Sequence, residues 1–235
     1  MLSSSPPAPV LEKELALKTP FTLLAVGSSG AGKTTFIERL IENANRVMDR
    51  PLSENEIFYF YNSPSFDGFG NLSNVRYVQG LPTKEWVETN LGFHGDRSRR
   101  REKVPLIVID DFGSSLNMDT ADLFTVTSHH SDINVVCVVH SLFNTKNPAY
   151  KILNDNCKYL VLFKNPRNQG SVVSHLAKQM DPHQNKRFVS IFKEATERPF
   201  SYLFIDLHQT TPEKYRLRSN VLNEDGLPII VFQRH

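Results

Sequence analysis

The sequence predicts an α/β domain with a mostly parallel central sheet flanked by helices, and three observations carry that expectation. Its 235 residues are 40% hydrophobic, enough to bury one substantial core but short for two. Short apolar runs alternate with segments whose apolar residues recur at helical spacing, the pattern of βαβ units. One of those runs passes directly into a glycine-rich loop and then into a helical pattern.

The chain opens with Ser3, Ser4, Ser5, Pro6, Pro7 and Pro9 before a short charged stretch. That composition buries too little apolar area to order itself, so residues 1–20 are expected to form a flexible arm and residues 21–235 a single domain. The candidate strands are FTLLAV (21–26), EIFYFY (56–61), PLIVID (105–110), INVVCVVH (133–140), KYLVLF (158–163) and FSYLFIDL (200–207). They are rich in Val, Ile, Leu, Phe and Tyr and mostly unalternated, as strands covered on both faces are. Residues 34–47, 118–130, 171–180 and 184–196 carry the helical spacing. No internal repeat is visible.

Composition narrows the classes. With 27 Lys+Arg against 25 Asp+Glu the charge is nearly balanced, so any basic surface must be local. Cys137 and Cys157 both sit in apolar runs, where reduced, buried thiols are expected rather than a disulfide framework. The N-terminus lacks the basic start and continuous apolar core of a signal peptide, and no segment approaches the ~20 apolar residues of a membrane span. The expectation is a soluble, intracellular protein.

The loop reads Gly27, Ser28, Ser29, Gly30, Ala31, Gly32, Lys33, Thr34, satisfying G-x-x-x-x-G-K-[ST], with Thr35 continuing into the helix. Glycines let the backbone curl until successive N–H groups point inward at phosphate, and the helix end adds positive potential. Lys33 is a point charge suited to β- and γ-phosphates, and the Thr34 hydroxyl is a neutral oxygen ligand suited to Mg²⁺. ATP and Mg²⁺ are the expected ligands of a P-loop nucleoside triphosphatase.

Such a site needs a carboxylate at the end of a neighbouring strand, and the run 105–110 ends in Asp110 followed by Asp111. Asp110 is the expected metal-side carboxylate. Asp111 is the candidate for orienting or deprotonating the attacking water, against a plain turn role for the Asp111-Phe112-Gly113 sequence. That triplet also resembles a kinase motif, but kinases lack this lysine-bearing loop. The run 133–140 ends in His140, either a γ-phosphate sensor that positions water or a histidine capping the next turn. His129 and His130 have no companion at metal-ligand spacing and read as a solvated helix end.

Two basic features stand out. Arg97, Arg99, Arg100, Arg101 and Lys103 form a polar insertion before the acidic strand. It is suited to nucleic-acid phosphates, to nuclear import or to simple solvation. Arg167 follows the run 158–163 and is a candidate arginine finger, against an ordinary surface role.

Three distal stretches extend the pattern: DLFTVTSHHSDINVVCVVHSLF (122–143), KYLVLFKNPRNQGSVVSHLAKQM (158–180) and ATERPFSYLFIDLHQTTPEKYRLRSN (195–220). With GSSGAGKTT and LIVIDD they make residues 21–218 resemble the genome-packaging ATPases of the FtsK–HerA superfamily. The similarity is to the type found in poxvirus-like viruses and in Polinton and adintovirus elements. It implies a RecA/FtsK-like P-loop fold and a homo-oligomeric ring with ATP between subunits. It also implies double-stranded DNA and viral capsid proteins as partners, DNA contact by the 97–103 insertion, and a nuclear or cytoplasmic assembly site in a host cell. The sequence departs from that family at His140, where Gln is usual, and has Asp111 where the wider superfamily often has Glu. Competing readings are a DNA translocase outside packaging, a small-molecule kinase, whose arginine-bearing lid helix the sequence lacks, and a nucleotide-gated assembly module that does not cleave ATP.

Overall fold

The computed structural model describes residues 14–63, 66–92, 101–143, 147–166, 169–180, 185–223 and 226–233. In chain order the elements are β1 (Thr22–Val26), α1 (Lys33–Glu42), α2 (Ala44–Val47), β2 (Leu52–Tyr61), β3 (Val75–Gln79), α3 (Lys84–Leu91) and β4 (Val104–Asp110). Then follows α4, a composite of α-helix Met118–Asp122, π segment Leu123–Thr127 and closing turn Ser128–His130. The rest are β5 (Asn134–Val139), α5 (Pro148–Asn156), β6 (Tyr159–Phe163), α6 (Gln169–Met180), α7 (Asn185–Ala195), β7 (Tyr202–Asp206), β8 (Leu217–Ser219) and β9 (Ile230–Val231).

The described strands form one sheet in the order β3-β2-β4-β5-β1-β6-β7-β8-β9. Pairing is parallel from β3 to β6 and antiparallel from β6 to β9. Each of the six apolar runs contributes a strand to it, the last beginning at Tyr202 rather than Phe200. Their lack of alternation has a direct cause in β1. Leu24 and Val26 pack with Val87 of α3, Leu153 of α5 and Phe192 of α7, whereas Leu23 and Ala25 pack with Phe36, Ile37 and Leu40 of α1. Both faces of the strand are core, so both parities must be apolar.

Register decides what meets at the sheet edge. Val26 pairs with Val139 of β5, and Asp110 pairs with Val138 of β5 and Tyr61 of β2. The ends of β1, β5 and β4 therefore emerge together, with β5 in the middle, and the loops leaving them share one rim.

Residues 14–20 are built into the domain: Leu15 and Leu17 are buried, and Leu17 bridges to Met48. The Leu15 carbonyl accepts a 2.5 Å bond from Arg218 of β8. Serine and proline enrichment ends at Pro9, and the Leu15 and Leu17 side chains supply the apolar area that composition averaged away. Arg218 is itself paired at 2.6 Å with Asp206 of β7, both side chains almost fully buried, and its guanidinium lies over Phe204. One arginine thus ties β7, β8 and the entering chain together.

Candidate functional site

The loop after β1 is shaped by what its glycines avoid. Gly27 extends the ladder through a 3.1 Å bond from its N–H to the Val139 carbonyl. A Cβ on it would fall 2.7 Å from Cβ of Phe163, so no larger residue fits. Gly32 has φ 99° at the mouth of α1, a conformation that side-chain-bearing residues resist. Ser28, Ser29, Ala31, Thr34 and Thr35 complete the loop and first turn around an exposed Gly30.

Lys33 is folded back across the loop, with Nζ donating to the carbonyls of Gly27 (2.8 Å) and Ser28 (2.9 Å). Burial pushes its pKa below the ordinary lysine value, and the fields of Asp110 and Asp111 oppose that shift. Both carboxylates therefore act on the ammonium, although β5 separates their strand from β1 and about 10 Å spans the two steps of the sheet.

Asp110 ends β4 half-buried, and its carboxylate accepts a hydrogen bond from the Tyr59 hydroxyl of β2. Burial drives the Asp110 pKa up; the Tyr59 bond opposes it, Asp111 raises it further, and Lys33 and His140 lower it. Burial also carries the Tyr59 phenol far above its ordinary value, so it stays protonated and donates. Tyr59 is wedged among Phe66, stacked at 4.8 Å, Phe69 and Tyr77. This fixed donor was not read from the sequence. The signal was available only after pairing: Tyr59 and Tyr61 share a strand face, and Tyr61 is the register partner of Asp110.

Asp111 leaves the strand with φ 62°, a left-handed conformation that Asp tolerates better than most. Its carboxylate meets His140 Nε2 at 2.6 Å. The two side chains are 54% and 47% exposed, so the pair contributes at most about 1 kcal/mol to stability. Its consequence is positional: the last residue of the β5 run and the second acid of the β4 run are held as a dyad.

The donor set fits Mg²⁺. Among the described residues no group of three or more His, Cys, Asp or Glu could hold a metal. Mg²⁺ is commonly bound by one or two carboxylates with substrate phosphates, and Asp110 and the Thr34 hydroxyl are the oxygen donors that would hold it. The loop N–H groups and Lys33 are the donors that would face its phosphates.

Two further candidates, Arg101 and Lys103, lie elsewhere. Arg101 and Lys103 precede β4 and so stand at the opposite rim of the sheet. The Arg101 guanidinium is held by Glu56 at 3.2 Å and by the Leu91 carbonyl at 2.6 Å, and Lys103 pairs with Glu54 at 3.1 Å. Arg97, Arg99, Arg100 and Arg167 lie outside the described residues. Cys137 and Cys157 are free and buried; burial raises both thiols, Cys157 to about 12. No described helix is long and apolar enough to cross a membrane.

Strand, loop, lysine and paired acids meet at one rim of a parallel sheet. This is a P-loop α/β fold. No family model matches the sequence, and no curated relative does. Among solved structures the chain is similar to the genome packaging NTPase B204 from Sulfolobus turreted icosahedral virus 2. With the ATP-gammaS complex the TM-score is 0.46 at 8% identity, covering 92% of this chain and 98% of that one. With the AMPPCP complex it is 0.45 at 10% identity, with the same coverage. The pilus retraction motor PilT with bound ADP gives 0.35 at 16% identity over 65% of this chain and 45% of that one.

Proposed function

We propose that this chain is the ATP-hydrolysing subunit of a Mg²⁺-dependent motor that moves double-stranded DNA into a viral capsid. The observation that carries hydrolysis is the convergence of Lys33, Asp110 and the Asp111–His140 dyad on one rim of the sheet. The distal sequence resemblance supports the packaging task.

The loop N–H groups hold the phosphates, and Lys33 exchanges its carbonyl partners for β- and γ-phosphate oxygens. Thr34 and Asp110 hold Mg²⁺, which when bound supplies charge neutralisation at those oxygens. Asp111 takes the proton of the attacking water while its oxygen bonds to the γ-phosphorus and the bond to the bridging oxygen of ADP breaks. His140 fixes the Asp111 carboxylate and senses the γ-phosphate. Arg167 acts as an arginine finger across a subunit boundary. In the basic insertion, Arg97, Arg99 and Arg100 contact the DNA backbone, with Arg101 and Lys103 anchoring its root through Glu56 and Glu54.

The motor reading is tested by phosphate release from the oligomer with and without duplex DNA. A severalfold stimulation, lost as salt rises, is the expected result. Turnover indifferent to DNA would remove the translocation task and leave the ATPase.

A further inference from the structure

Phe200 is an exposed aromatic in a place where the chain has paid to put it. Its side chain belongs to a residue 68% exposed, the most open of the large hydrophobic residues described, and its φ is 64°. It occupies a tight turn in which the Ser201 N–H donates to the Arg198 carbonyl at 3.2 Å and the Ser201 hydroxyl donates to the same carbonyl at 2.7 Å. Pro199 stands at the first central position and Phe200 at the second, where a positive φ ordinarily selects glycine or asparagine. A bulky aromatic kept in a strained conformation and in water points to a role at a site.

The site beside it is the phosphate loop. A Cβ on Gly32 would lie 3.1 Å from Cβ and 3.3 Å from Cδ1 of Phe200, so the aromatic lies against the last glycine before Lys33. The floor under this corner is rigid: Phe36 of α1 packs edge-on against Tyr202 at 4.9 Å and against Phe163 at 6.1 Å.

Topology sets the direction. The acids and His140 leave β4 and β5 on one side of β1, while Phe200 precedes β7, which pairs with β6 on the other side. A nucleotide whose γ-phosphate faces Asp110 and Asp111 directs its nucleoside away from them, toward β6 and β7. We infer that Phe200 is the platform on which the nucleobase of the bound nucleoside triphosphate stacks, an inference that rests on the loop being a triphosphate site.

The two claims separate when ATP is compared with inorganic tripolyphosphate, which has the phosphates and no base. Binding of each is measured to the wild-type chain and to Phe200→Ala, Phe200→Gly and Phe200→Trp. Losing one base–aromatic stack weakens ATP by on the order of tenfold or more, with tripolyphosphate expected within about twofold of wild type and Phe200→Trp retaining ATP affinity. Phe200→Gly relieves the positive φ, so its thermal midpoint should equal or exceed wild type while ATP binding falls, which separates loss of the stack from loss of the fold. Unchanged ATP affinity in Phe200→Ala overturns the assignment. Equal weakening of ATP and tripolyphosphate also overturns it, because Phe200 would then only support Gly32. A wild-type chain that binds neither ligand refutes the loop reading itself, before any variant is compared.

Discussion

At the scale of single residues, the site is a set of charges that only make sense together. Lys33 is buried within the field of two carboxylates, Asp110 is held by a phenol that cannot ionise at working pH, and Asp111 is held by His140. Lys33, Asp110, Asp111 and His140 were legible because glycine spacing and polar residues at the ends of apolar runs are local signals. Tyr59 and Phe200 were not. Tyr59 looks like one more aromatic in EIFYFY until β2 is paired with β4, and Phe200 looks like the start of a strand until the turn at 198–201 is seen. In the proposed Mg²⁺ site Tyr59 orients the carboxylate that would hold the metal, and removing such a partner costs ~10–100-fold in metal affinity. Tyr59→Phe should therefore raise the Mg²⁺ concentration for half-maximal turnover by at least about tenfold, with turnover approached again at saturating Mg²⁺. A titration superimposable on wild type would show that the phenol only packs.

At the scale of elements, long apolar runs were readable and short amphipathic pieces were not. β3, with the burial of only Val75 complete, is an edge strand whose VRYVQ sequence half faces water. β8 and β9 have three and two residues, too few for any period to show. α3 and α5 carried readable signals in their caps: Thr83 accepts from the Trp86 N–H, and Asn147 accepts from the Ala149 N–H just ahead of Pro148. The antiparallel extension depends on the buried Arg218–Asp206 pair, which also holds residues 14–20. Breaking such a pair strands one charge and costs about 3–5 kcal/mol, whereas replacing both partners with apolar residues is often neutral. Arg218→Met should lower unfolding stability by that amount, and adding Asp206→Leu should recover much of it, as read by urea titration. A loss under about 1 kcal/mol in the single variant would mean that the pair is not an anchor.

At the scale of the molecule, the parallel sheet separates two ends. The loop, the acids and His140 share the rim where β1, β4 and β5 finish. Arg101 and Lys103 stand where β4 begins, seven residues away along the strand, or about 20 Å. In the proposed motor, nucleotide chemistry belongs to the first rim, and a packed core joins it to the rim of Arg101 and Lys103. The sequence showed both ends but not their opposition, which follows from register alone. The central claim is that the first rim cleaves ATP, and steady-state phosphate release from Mg²⁺-ATP tests it most directly. Wild-type chain should turn over, while Lys33→Ala, folded to the same thermal midpoint, should fall by at least about a hundredfold, the scale expected when a phosphate-stabilising cation is removed. Turnover that survives Lys33→Ala, or its absence from the intact wild-type oligomer, would contradict the account.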